Sequence, residues 1–315
     1  MVLAGASAGR YWQLAPTSAE GTNFGSAGPV TGGSGDRAQF RRVVIGLAAA
    51  GLVAFGELYG VQALLPVIAR DLAVSAADAA LAQSAAALGV ALAVVPWSLV
   101  ARRTGSGPAL RVAVVASAVL GLAVSLLPTL ELLVAARFVQ GAVIAGIPAL
   151  ALVHLGRTLD ARHVLAASGW YIAGTSLGGL LGRLVAGFAG DLGGWRAGLV
   201  AVSVVSLAAA AVFLVLVPVR GMSAVLQPGH ALAGRPPLRR GRVWLLFALA
   251  FVLMGCFVSA YNYLGFRLGD KFGLSPALAG FVFILYLSGT WSSARAGVWA
   301  KTVSRVVRRR RCRRR

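Results

Sequence analysis

Residues 44–68 read VIGLAAAGLVAFGELYGVQALLPVI, twenty-five positions carrying one charge, Glu57. At about 1.5 Å of rise per residue this stretch makes a helix about 37 Å long, more than the ~30 Å hydrocarbon core of a bilayer. A helix on the surface of a soluble domain carries a polar face along its whole length. Here polar groups are gathered at Glu57, Tyr59 and Gln62, so the stretch reads as a membrane span.

The same pattern recurs outward from it, at roughly 79–100, 109–127, 132–155, 165–190, 196–218, 243–266 and 276–299. The expectation is an all-α integral membrane protein with eight transmembrane helices. Composition agrees, with 58% hydrophobic and 12% charged residues where soluble domains carry about 25% charged. The net charge of +21 does not point to nucleic acid, because nine of the 30 basic residues follow position 300 and the remaining +12 sits mostly in short loops. Cys256 and Cys312 offer neither a disulfide framework nor a zinc pattern.

Basic residues are counted in alternate loops because positive charge stays on the cytoplasmic side during insertion. Arg10, Arg37, Arg41, Arg42, Arg102, Arg103, Arg111, Arg157, Arg162, Arg220, Arg235, Arg239, Arg240 and Arg242 fall on one side. Only Arg70, Arg196, Arg267 and Lys271 fall on the other, so the N-terminus is expected in the cytoplasm. Trp97, Trp170, Trp195 and Trp244 lie near the ends of spans, where an interfacial belt places tryptophan.

The organisation expected is a disordered cytoplasmic tail (1–42), a six-helix bundle (43–218), a cytoplasmic linker (219–242) with Pro228, Pro236 and Pro237, and two helices of a second bundle (243–300). A faint internal repeat supports this: Phe55 and Tyr59 of the first span recur as Phe257 and Tyr261 of the seventh, 202 residues on. Residues 301–315 form a basic tail. It reads either as the out-of-frame product of a GC-rich gene or as a lipid-headgroup anchor.

Glu57 is the one acidic residue deep inside a span, and such a group is costly unless protonated, paired or hydrated. Arg137 and Arg183 lie at similar depth by residue counting and are its expected partners, making Glu57, Arg137 and Arg183 the candidates for proton coupling, with a static buried ion pair as the competing reading. Tyr59, Gln62, Gln140, Tyr261, Asn262 and Tyr263 are the candidates for a substrate cavity between the two bundles. Gly174, Gly178, Gly182, Ala186 and Gly190 strip one face of the fifth span, and Gly141, Ala145 and Ala149 do so in the fourth, which reads as close helix packing. His154, Asp160 and His163 match no metal spacing and read as solvated loop residues. No catalytic constellation appears, so an enzyme is not expected.

The stretch Arg137-Phe138-Val139-Gln140-Gly141-Ala142 resembles the R-x-x-Q-G signature of the major facilitator superfamily. Leu58 to Pro66 and Gly289-Thr290-Trp291-Ser292-Ser293 resemble its arabinose-efflux-like and multidrug-like bacterial branch. The resemblance implies twelve helices in two six-helix halves, alternating access, and export of a small drug-like or sugar-like solute in exchange for protons. On that ground the chain is expected to be C-terminally truncated, four helices short. The family's loop motif falls on Ser98 to Ser106 and retains Arg103 and Gly105, assigned to gating, but Ser98 replaces its glycine and Arg102 its aspartate. Its antiporter motif is met by Gly174, Gly178 and Gly179 without the proline. The expected partners are a small-molecule substrate, protons and the lipid bilayer, with the protein a monomer in the bacterial cytoplasmic (inner) membrane. No nucleic acid, cofactor or metal is expected. The alternative is a truncated membrane protein that does not transport.

Overall fold

A computed structural model describes residues 34–158, 161–217, 240–282 and 284. The linker prolines, the Gly289–Ser293 stretch, most of the eighth expected span and the arginine tail lie outside the described residues.

The described residues form helices α1 (Ser34–Asp71), α2 (Ala76–Thr104), α3 (Ser106–Val124), α4 (Leu130–Ile144), α5 (Gly146–Thr158), α6 (Ala161–Leu216), α7 (Arg240–Phe272) and α8 (Pro276–Val282). Among the described residues, six helical stretches are long and apolar enough to cross a membrane. One of them is double. At 56 residues, α6 would be about 84 Å long if straight, but Gly193 (φ −138°, ψ 18°) and Gly194 (φ 76°, ψ 178°) leave helical geometry. α4 and α5 together make one span, Leu130–Gly156. They part at Ala145, three residues before Pro148, which lacks an N–H for the helical ladder. α1 starts at Ser34, inside the stretch that composition reads as a tail.

The arms of α6 fold back antiparallel, with α1 along the groove between them. Moving along α1, Ala48, Leu52 and Gly56 meet Gly174, Gly178 and Gly182 of the first arm in rising order. On the second arm the order falls, Gly46 against Val217, Gly60 against Val202 and Leu64 against Gly198. The approach is backbone to backbone: a Cβ on Gly178 would lie 2.6 Å from Leu52 Cα, and one on Gly182 would lie 2.6 Å from the Gly56 carbonyl oxygen. α2 and α4 pack the same way in opposite directions, Gly141 on the Ala86 carbonyl and Gly89 on the Phe138 carbonyl. Small residues here replace side-chain bulk with close main-chain contact.

Two polar clasps hold the helix ends. Asp71 Oδ2 accepts from Trp195 Nε1 (2.7 Å) and Arg196 Nη1 (3.2 Å), joining α1 to the second arm of α6. Arg111 of α3 donates to the carbonyls of Leu214 and Val217, which end that arm. These contacts correct the tryptophan expectation. Trp170 and Trp244 are exposed, but Trp195 is buried against Asp71 and Trp97 turns inward to donate to the Ala142 carbonyl at 2.8 Å. The indole N–H is drawn to a carbonyl or carboxylate that would otherwise lack a donor in the membrane. His154 is also buried, on α5, not solvated. The side chains of Asp160 and His163 lie outside the described residues.

Gly105 alone separates α2 from α3, at φ 89° and ψ 150°, with its N–H on the Ala101 carbonyl at 3.0 Å. Only glycine enters that region without strain. Gly105→Ala is expected to cost about 1–3 kcal/mol, seen as a lower melting temperature in detergent. Arg103 is exposed in the last turn of α2.

Candidate functional site

Two polar layers are stacked along α1, little more than one helical turn apart. The first centres on Glu57, which is 5% exposed. Arg137 enters from α4 with its side chain buried, so its guanidinium must find acceptors inside the bundle. It donates to the main-chain carbonyls of Glu57 (2.9 Å), Leu58 (2.8 Å) and Ala82 (3.4 Å) and to Gln140 Oε1 (2.6 Å). Gln140, one turn along α4, passes the contact on: its Nε2 donates to Glu57 Oε2 at 3.0 Å. The link between arginine and carboxylate therefore runs through the amide of Gln140, which sits in this layer.

The rest of the layer was not singled out from sequence. The Glu57 carboxyl occupies the space where a Cβ on Gly121 of α3 would stand, 2.6 Å from its Cδ. The hydroxyls of Ser203 and Ser206, on the second arm of α6, lie beside it. Glu57 Oε1 and Ser206 Oγ are both buried without a hydrogen-bond partner. The available signal was a pair of serines, three apart, in an otherwise apolar span.

The second layer centres on Arg183 of the first arm of α6. Its Nε and Nη2 donate to Gln62 Oε1 at 3.0 and 2.6 Å, and its Nη1 donates to the Gly179 carbonyl at 2.6 Å. Gln62 Nε2 donates in turn to Asn262 Oδ1 of α7 at 2.7 Å. The guanidinium carbon stands 4.6 Å from the Tyr59 ring centroid and 5.8 Å from that of Tyr261, so these two tyrosines flank one cation. Phe55 and Phe257 accompany them, with ring centroids 5.8 Å from Tyr59 and 4.4 Å from Tyr261 respectively. Tyr263 stands apart, 47% exposed and against Phe266. Of the two arginines expected as partners of Glu57, Arg137 donates to its main-chain carbonyl and reaches the carboxyl through Gln140, whereas Arg183 donates to Gln62 and Gly179 among its contacts.

Gln62 also borders a cavity of about 550 Å³ between α1, α7 and the start of α8, lined among others by Arg70, Phe266 and Asp270. Gln62→Leu removes the contact across to α7 and an acceptor of Arg183 together. Since hydrogen bonds to charged groups are worth about 1.5–3 kcal/mol, a drop in melting temperature of the purified protein is expected, with Asn262→Leu producing a smaller one.

The sequence matches the Major Facilitator Superfamily over residues 47–314. It is 30% identical over 265 residues to the inner membrane transport protein YnfM of Escherichia coli, covering 82% of this chain and 63% of that protein. It is 29% identical over 264 residues to the uncharacterized MFS-type transporter YybF of Bacillus subtilis, covering 82% and 65%. The chain thus spans just under two thirds of the length of these relatives. Among solved structures, a bacterial homologue of the human lysosomal transporter Spinster, inward-facing and unoccupied, aligns with a TM-score of 0.59 at 17% identity, covering 82% of this chain and 64% of that one.

Proposed function

Because the chain belongs to the major facilitator superfamily, we propose that it works as a secondary transporter exporting a small organic solute, drug-like or sugar-like, in exchange for protons, as in the arabinose-efflux-like and multidrug-like branch. Glu57 is the proton-binding group in this reading. The observation that carries it is a carboxyl buried at membrane depth, with one oxygen held by Gln140 and the other, Oε1, without a hydrogen bond. Ionisation there exchanges water for at most a neighbouring serine hydroxyl, whereas a proton removes the charge. Arg137 fixes the amide of Gln140 and so sets the geometry around the proton.

The solute site in this proposal is the Arg183 layer and the adjoining cavity, where Tyr59, Gln62, Tyr261 and Asn262 supply aromatic faces and hydrogen-bonding groups. The two layers share α1, so a shift of that helix transmits proton binding at Glu57 to the solute site. The N-terminus is placed in the cytoplasm by the arginine asymmetry, in a bacterial inner membrane, with the protein a monomer. Six helices before the linker and two after it remain the domain plan.

The test is reconstitution into liposomes holding a pH gradient and a trapped pH-sensitive dye, with drug-like and sugar-like solutes added one at a time. The expected result is solute-dependent collapse of the gradient for at least one solute class. Solute movement that proceeds at the same rate with and without a gradient, moving no protons, contradicts the proposal.

A further inference from the structure

Gln140 has a fixed orientation. Its Oε1 faces Arg137 Nη1 at 2.6 Å, and a guanidinium N–H only donates, so Nε2 of Gln140 must be the atom turned to Glu57 Oε2. Oε2 is thus an acceptor in either protonation state, and a proton on Glu57 belongs on Oε1. Once protonated, Oε1–H is a donor and needs an acceptor in a region where unsatisfied polar groups are costly.

Each element packed around the carboxyl narrows the choice. Among the described residues, α4 presents Arg137 as the charged group and Gln140, both of which donate to Glu57. α3 presents Gly121, which has no side chain. The second arm of α6 presents Ser203 and Ser206. Ser203 Oγ already donates to the Leu199 carbonyl at 2.9 Å, in the ordinary manner of a serine inside a helix, whereas Ser206 Oγ is buried without a partner. The Ser206 hydroxyl, beside the carboxyl and not committed to its own helix, is therefore the group that can accept from Oε1–H.

We infer that Ser206 is a positioning residue for the protonated form of Glu57, its hydroxyl oxygen accepting a hydrogen bond from Oε1–H while Gly121 leaves the carboxyl room to turn toward it. The proton stays on Glu57 in this contact, and when it departs the Ser206 hydroxyl can turn its own proton toward the carboxylate, so the direction of the hydrogen bond between α1 and the second arm of α6 reverses with protonation. The inference rests on the proton-binding reading of Glu57 and adds the element that senses it.

Infrared difference spectroscopy of the full chain in liposomes, titrated with pH, tests this without any substrate. The carbonyl stretch of a protonated carboxyl, assigned to Glu57 by its loss in Glu57→Gln, rises in frequency when the acid loses its hydrogen-bond acceptor. Ser206→Ala is expected to shift the band upward, Ser206→Thr to restore it, and Ser203→Ala to leave it in place. Gly121→Ala, which crowds the carboxyl, is expected to shift it as well. A Glu57 band unchanged in Ser206→Ala overturns the role of Ser206 while leaving the proton-binding reading intact. Absence of any pH-dependent band that Glu57→Gln removes overturns both.

Discussion

Arg137→Met is expected to lower the melting temperature sharply, because it removes several hydrogen bonds to a buried charged group, each worth about 1.5–3 kcal/mol. The guanidinium is 1% exposed and reaches α1, α2 and its own helix through carbonyls of Glu57, Leu58 and Ala82 and the amide of Gln140. A methionine fills comparable volume but leaves Gln140 without its donor, so the amide turned to Glu57 is no longer fixed. Arg137→Lys is expected to be nearly as damaging. An ammonium on a flexible stem does not reproduce a planar fork serving Nε, Nη1 and Nη2 acceptors at once. Thermal unfolding in detergent reads both variants, and a melting temperature within a degree or two of the parent for either contradicts this account of the Arg137 layer.

The second large effect belongs to the glycine stripe. Gly178→Leu puts a branched side chain where even a Cβ would lie 2.6 Å from Leu52 Cα and 2.7 Å from the Leu52 carbonyl oxygen. Main chain cannot swing aside as a flexible side chain does, so α1 and the first arm of α6 must separate. Overpacking of a tight core costs about 1–3 kcal/mol for modest insertions, and leucine is expected to exceed that range. Separation would also draw Gln62 from Arg183 and disturb the layer built on them. Gly156→Leu is the control, since none of the described residues lies within 4 Å of its Cβ position. Yield of monodisperse protein and melting temperature should fall for Gly178→Leu and hold for Gly156→Leu.

The membrane-spanning character was legible because the signal repeats over long windows, and the glycine stripe because four-residue spacing places small residues on one helix face. The stripe's partner was not legible: Ala48 and Leu52 look like ordinary apolar residues until α1 is placed against them. The Glu57–Arg137 association followed from scarcity, since few charged groups share that depth. Sequence did not reveal that Gln140 stands between them, because a glutamine at membrane depth is equally a solute contact or a bridge. Ser206 and Gly121 were hidden for opposite reasons. A serine in an apolar helix commonly bonds its own turn, as Ser203 does, and a lone glycine in α3 has no spacing to mark it. The hairpin of α6 was anticipated as two spans, since Gly193-Gly194 and the charges at Asp191 and Arg196 interrupt the apolar run.

The most direct measurement compares two modes of transport in Glu57→Gln, using any solute that collapses the pH gradient with the parent protein. Exchange of labelled for unlabelled solute across the liposome membrane, at equal pH on both sides, requires the solute site but no net proton movement. Gradient-driven accumulation requires both. Glu57→Gln is expected to retain exchange and to lose accumulation by at least about tenfold, equivalent to about 1.4 kcal/mol. Accumulation at the parent's rate and with the parent's dependence on the gradient would contradict the assignment of Glu57 as the coupling group.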